Sequence, residues 1–146
     1  VATYMKQRFP QLKTFSTISP APGFRDWLVS EAAQDEELAG LMAEFGIDAS
    51  EEVCAKLEKV AARYFLEEKN NRDEPVDPVA RFHLKNGALL ERINILGNPS
   101  VKGMERSLGT MINYVYDLSK VENNHEKYVR KNKVICSSQV RKLLKK

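Results

Sequence analysis

The sequence has few of the residues that build disulfide frameworks, metal sites or membrane spans. Its 146 residues include two cysteines, Cys54 and Cys136, which are too few for a disulfide framework and fit a reducing compartment. No cluster of His, Cys, Asp and Glu has the spacing of metal ligands. No run approaches the roughly 18 apolar residues of a membrane span, and no signal-peptide pattern opens the chain. We therefore expect neither a bound metal nor a membrane partner.

Nucleotide-binding signatures and a strong charge bias are also missing. There is no Gly-x-Gly-x-x-Gly and no Gly-Lys-Ser/Thr loop, and a net charge of +3 is too small to argue for nucleic acid. Acidic residues concentrate in 31–52 and basic residues in 127–146, a distribution that fits two solvated faces. A hydrophobic content of 42% with 29% charged residues is ordinary for one globular domain.

The apolar pattern predicts three strands among several helices. β-branched and aromatic residues or flanking turn residues predict strands at 12–19, 88–96 and 110–117. Apolar stripes at helical spacing, together with capping residues, predict the helices. They are residues 1–9, a helical stretch with two apolar stripes between 24 and 45 ended by Gly46, one after a capping box of Asp48 and Glu51, one from Asp77 to Asn86-Gly87, one from Ser100 to about Leu108, and two in the tail, the last capped by Ser137 or Ser138. This order predicts a mixed α/β or α+β fold.

Two side chains with chemical capability lie at restrained positions. Pro20 holds Ser19 in an extended backbone at the end of the first strand. Asp77 as N-cap and Pro78 in the first turn put His83 near the end of a short helix, where the helix dipole favours an imidazolium. On pattern alone, such a serine is ordinarily a turn former and such a histidine a capping residue. Because the chain has only two histidines, Ser19 and His83 are nevertheless worth weighing as a catalytic pair.

Three stretches of the chain resemble the malonyl-CoA decarboxylase family, in the order in which that family has them. They are residues 15–24, FSTISPAPGF; residues 77–94, DPVARFHLKNGA continuing into LERIN; and residues 113–118, NYVYDL. The resemblance covers essentially all 146 residues. It implies an α+β fold, namely the C-terminal part of an acetyltransferase-like (GNAT) mixed sheet flanked by helices, with a helical insert at about 24–70. A CoA-binding loop, an active-site glutamate and a separate helical domain would then lie upstream.

The resemblance also implies site residues and partners. Ser19 matches the family's catalytic serine, His83 its catalytic histidine and Tyr116 an active-site tyrosine, while Asn86 belongs to the histidine motif and is expected at the substrate. The implied reaction converts malonyl-CoA into acetyl-CoA and carbon dioxide without a cofactor. The implied partners are these CoA esters, the remainder of the catalytic domain, the helical domain and further copies of the chain in a tetramer. The expected compartment is the cytoplasm or the mitochondrial matrix. Candidate contacts for the CoA phosphates are Arg81, Arg92 and Lys102.

The implied chemistry assigns roles to the serine and the histidine. Decarboxylation leaves an electron pair that the thioester carbonyl can hold as an enolate, so the protein must bind the carboxylate, stabilise the enolate oxygen and protonate the α-carbon. We expect His83 to be the proton donor and Ser19 its positioning partner. This assignment is favoured over an acyl-serine intermediate, because no carboxylate is visibly placed to orient His83 as in a triad. Two alternatives stay open: acyl transfer, including that of decarboxylating loading domains of polyketide assembly lines, and an inactive structural remnant within a larger complex.

Overall fold

The three predicted strands are present and form one antiparallel sheet. The structure, a computed structural model, describes residues 13–145. Strands β1 (Thr14–Pro20), β2 (Leu89–Asn94) and β3 (Met111–Asp117) pair in the order β1-β3-β2, and both pairs are antiparallel. The predicted helix at residues 1–9 lies outside the described residues. The prediction of an α+β fold is confirmed.

The central strand β3 carries the buried face of the sheet. Ile112, Tyr114 and Tyr116 are fully buried, as strand alternation predicts. In the register with β1, Tyr116 lies opposite Phe15 and Ile112 opposite Ser19. The inward face of β1 is therefore brought alongside the two tyrosines of β3.

Three helices follow β1 in the segment where the helical insert is expected. They are α1 (Phe24–Ala32), α2 (Glu36–Glu44) and α3 (Glu51–Leu66). The predicted Asp48–Glu51 capping box is wrong. Ser50 is the N-cap of α3, and its hydroxyl accepts a hydrogen bond from the Val53 N–H at 3.2 Å. Asp48 lies two residues too early to reach that first turn.

The remaining helices are short and capped largely as predicted. They are α4 (Pro78–Lys85), α5 (Val101–Ser107), α6 (Val121–Lys131) and α7 (Ser138–Lys142). The side chains of Asp77, Ser100 and Ser137 accept backbone N–H groups at the starts of α4, α5 and α7. Gly87 ends α4 with a φ of +91°, a conformation that glycine adopts most readily.

The core joins the helices after β1 to the helix that carries His83. The aromatic rings of Phe24, Tyr64 and Phe65 are fully or almost fully buried and contact one another, with centroids 5.0 to 6.4 Å apart. Tyr64 then reaches Asp77 at the start of α4. Within residues 13–145, no helix combines the length and hydrophobicity that a membrane crossing requires.

Candidate active site

Ser19 and His83 face each other, although they are 64 residues apart in the sequence. The Ser19 Oγ lies 3.2 Å from the His83 Nε2, within hydrogen-bond distance. Ser19 comes from the end of β1 and His83 from the last turn of α4, and each is 8% exposed. The pair thus lies just beneath the surface.

Tyr116 occupies the other side of the imidazole. Its hydroxyl lies 2.6 Å from the His83 Nδ1. The Tyr116 side chain is fully buried, and its ring stacks on Phe15 with the centroids 4.7 Å apart. Burial raises the pKa of Tyr116 to about 12, so the phenol keeps its proton at neutral pH. The structure therefore brings Ser19, His83 and Tyr116 into one hydrogen-bonded series.

The charge state of His83 differs from the expectation based on the helix dipole. Burial lowers the pKa of His83 below its usual value of 6.5, because the interior disfavours the charged imidazolium. The expected preference for an imidazolium is therefore wrong. Burial is the cause of the lowered pKa, so the histidine is neutral near pH 7.

Thr17 and Tyr114 also contact this cluster, although sequence reasoning gave them no role. The Thr17 Oγ1 lies 3.2 Å from the Ser19 Oγ. The Tyr114 ring stacks on the His83 imidazole, with the centroids 4.4 Å apart and the planes 21° from parallel. Strand alternation could have found both, because Thr17 shares a strand face with Ser19, and Tyr114 shares one with Tyr116.

A buried carboxylate anchors the helix that carries His83. Asp77 is fully buried. Its Oδ2 accepts the Ala80 N–H at 2.9 Å, and its Oδ1 accepts the Tyr64 hydroxyl at 3.2 Å. Burial raises the pKa of the Asp77 carboxyl. This cap ties α4 to α3 and so fixes where His83 is presented.

The structure does not bring Asn86 to the Ser19–His83 pair. Asn86 is exposed at the end of α4, and its amide donates to the Phe82 carbonyl at 2.9 Å. The expected role of Asn86 at the substrate thus stays a prediction. Arg92 and Lys102 are exposed, whereas Arg81 lines an open cavity of about 710 Å³ beside α4. Among residues 13–145, no three His, Cys, Asp or Glu side chains are grouped as metal ligands.

The fold and the cluster define a class of protein. A hydroxyl, an imidazole and a phenol in hydrogen-bond series can hold an anionic or carbonyl oxygen and move a proton. These groups lie where one strand end, one helix end and the central strand of an α+β domain meet. The arrangement defines an α+β domain with a cluster of groups that can exchange protons.

Comparison with known proteins identifies the family. The family described as "Malonyl-CoA decarboxylase C-terminal domain" matches residues 1–146. Mitochondrial malonyl-CoA decarboxylase of Rattus norvegicus is 31% identical over 175 residues, with 99% of this chain and 35% of the relative covered. The protein of Anser anser anser is 31% identical over 170 residues, covering 96% of this chain and 34% of the relative. The chain belongs to the malonyl-CoA decarboxylase family.

Solved structures agree with this assignment. The crystal structure of malonyl-CoA decarboxylase from Rhodopseudomonas palustris matches with a TM-score of 0.87 and 38% identity, over 97% of this chain and 35% of that one. The protein from Agrobacterium vitis matches with a TM-score of 0.75 and 36% identity, over 99% of this chain and 39% of that one. The resemblance inferred from the three motifs is confirmed. The chain spans about a third of the length of these relatives.

Proposed function

We propose that this chain supplies the catalytic groups for the decarboxylation of malonyl-CoA to acetyl-CoA and carbon dioxide. The observation that carries the proposal is the hydrogen-bonded series from Ser19 through His83 to Tyr116. The relatives' names as malonyl-CoA decarboxylases support the choice of substrate. In this proposal Ser19, His83 and Tyr116 are the catalytic residues, and Ser19 and His83 contact the malonyl group.

Hydrogen-bond accounting assigns the protons of the resting site. The protonated Tyr116 hydroxyl has no acceptor other than His83 among the described residues, so it donates to Nδ1. The neutral ring then carries its proton on Nε2 and donates it to the Ser19 Oγ. The Ser19 hydroxyl is left to donate to Thr17 or to a ligand. A serine that accepts from the histidine is not activated as a nucleophile, which argues against an acyl-serine intermediate.

The proposed reaction follows from this proton arrangement. The bond between the carboxylate and the α-carbon breaks, carbon dioxide leaves, and the electron pair becomes the thioester enolate. The Ser19 hydroxyl donates to the developing oxyanion. Removing a comparable donor from an oxyanion site costs about 3 kcal/mol of transition-state stabilisation. His83 delivers its Nε2 proton to the α-carbon. The Tyr116 phenol passes a proton to Nδ1 at the same time, so that no imidazolate forms, and regains a proton from solvent.

The shallow burial of the site favours this chemistry. Ser19 and His83 are each almost fully buried, so the malonyl carboxylate would leave most of its hydration shell on binding. Desolvation destabilises the localised carboxylate more than the delocalised enolate, which lowers the barrier. The same burial keeps His83 neutral and able to donate from Nε2.

The working protein requires more than these 146 residues in this proposal. We place this segment as the C-terminal portion of a catalytic domain, with the helical insert at about 24–70. The CoA-binding half and a helical domain complete it, as the family resemblance implies. A homo-oligomer in the cytoplasm or the mitochondrial matrix is the proposed state, and the mitochondrial names of the rat and goose relatives support the latter compartment.

The two histidines of the chain offer a matched experiment. His83→Asn removes the proton donor, whereas His125→Asn changes an exposed histidine on α6. Both variants are made in the complete polypeptide that contains this chain, and release of carbon dioxide and free acetyl-CoA is measured. We expect His83→Asn to lower kcat by about 10²- to 10⁴-fold, the contribution of general acid catalysis, and His125→Asn to leave it unchanged. Near-normal turnover by His83→Asn, or transfer of the acetyl group to an amine or a carrier, would contradict the proposal.

A further inference from the structure

The imidazole of His83 contacts four side chains. Ser19 lies at Nε2, Tyr116 lies at Nδ1, and the ring of Tyr114 covers one face at a centroid distance of 4.4 Å. Phe82 contacts the imidazole edge-on, with the centroids 5.1 Å apart and the planes at 77°. The contacts of Ser19 and Tyr116 belong to the proposed chemistry, whereas that of Tyr114 has no role in it.

Hydrogen bonds at the two nitrogens do not by themselves fix the plane of the ring. The χ2 torsion of histidine, which turns the ring about the Cβ–Cγ bond, has broad minima. Hydrogen bonds also tolerate departures from linearity, so the ring can turn and carry Nε2 and Nδ1 out of their best positions before either bond is lost. A parallel ring against one face opposes that tilt through dispersion and stacking contacts. Tyr114 is fully buried on the central strand and is therefore a rigid platform for such a contact.

We propose that Tyr114 is a positioning residue of this site, whose ring face fixes the plane of the His83 imidazole so that Nε2 and Nδ1 engage Ser19 and Tyr116 together. The inference rests on the proposed decarboxylase function. Tyr114 acts through His83 and does not contact the substrate. A tilt of the imidazole would move Nε2 away from the line to the α-carbon, and small misplacements of a reacting group are costly in rate.

The hydroxyl of Tyr114, unlike its ring, has no part in the proposed role. It is buried and has no hydrogen-bond partner among residues 13–145. A buried hydroxyl without a partner is unfavourable for stability. Burial, with Asp77 nearby, raises the pKa of Tyr114 well above its usual value, so the phenol remains neutral. The ring therefore carries the proposed role, and replacing tyrosine with phenylalanine separates the ring from the hydroxyl.

The test compares Tyr114→Leu with Tyr114→Phe in the complete polypeptide. We expect Tyr114→Leu to lower kcat by about 10- to 100-fold and to change KM by less than about threefold. We also expect the acidic limb of its kcat/KM profile to move up towards pH 6.5, because water gains access to the imidazole. Tyr114→Phe should recover at least about a third of the kcat. Leu28→Ala, a comparable truncation in the buried part of α1, controls for lost stability and should leave the pH limb in place.

A second measurement reads the histidine directly. In ¹⁵N-histidine spectra without substrate, assigned with His83→Asn, the wild-type protein and Tyr114→Phe should show His83 as one tautomer, and Tyr114→Leu a mixture. Tyr114→Met replaces the leucine variant if that protein does not fold. Unchanged kcat and tautomer in the leucine or methionine variant, or an equal loss in the phenylalanine variant, would overturn the inference. A wild-type protein that released no carbon dioxide would overturn the proposed function, and the spectra would still decide the role of Tyr114.

Discussion

Tyr116→Phe is the substitution that tests the proton arrangement most cleanly. It removes the hydroxyl that lies 2.6 Å from the His83 Nδ1 and keeps the ring that stacks on Phe15 at 4.7 Å. The buried Nδ1 is then left without its donor, a loss of about 1–3 kcal/mol. If the full loss appears in the transition state, kcat falls by about 5- to 150-fold.

The assay for this variant is single-turnover release of carbon dioxide from malonyl-CoA by the complete polypeptide. Tyr128→Phe is the matched control, because Tyr128 is buried on α6 and donates to Glu74 at 3.4 Å. Both substitutions remove one buried phenolic hydroxyl, but only Tyr116→Phe should slow the chemical step. Equal rates in the two variants would refute the assignment of Tyr116 as the donor to Nδ1.

Two further predictions concern pH. Protonation of His83 at Nδ1 would block the hydrogen bond that Tyr116 donates there. Because burial lowers the pKa of His83, kcat/KM should fall as the pH drops through a value below 6.5. A pH–rate profile with its acidic limb above 6.5 would contradict this prediction. Burial raises the pKa of the Asp77 carboxyl in the folded state, so the folded protein binds a proton there more tightly than the unfolded chain does. The stability that protonated Asp77 contributes is therefore lost as the pH rises through its folded-state pKa. Asp77→Asn, which keeps a capping side chain, should therefore gain stability relative to the wild type between pH 4 and pH 7 in urea denaturation, and a constant difference would count against this reasoning.

Local sequence signals predicted the framework of the site. The β-branched residues of β1, the proline after Ser19 and the Asp-Pro start of α4 each restrict the backbone within a few residues. These restraints predicted that Ser19 and His83 lie at the ends of their elements. The family motifs predicted that the two residues act in one site. Alternation along β3 likewise places Tyr114 and Tyr116 on one face of the sheet.

Tertiary packing decided what the sequence could not. The neutral state of His83 follows from burial by other elements, and no local pattern carries that information. The stacking of Tyr114 on His83 depends on how α4 lies across the sheet. The Ser50 cap was missed because two capping residues lie close together, and the exact start of the helix chooses between them.

The central claim is that His83, held between Ser19 and Tyr116, protonates the α-carbon after carbon dioxide leaves. The most direct measurement is the rate of acetyl-CoA formation from malonyl-CoA by His83→Asn beside His125→Asn, with both proteins shown to be folded by circular dichroism. A loss of at least about 10²-fold confined to the His83 variant is the predicted result. Comparable turnover in the two variants would contradict the claim.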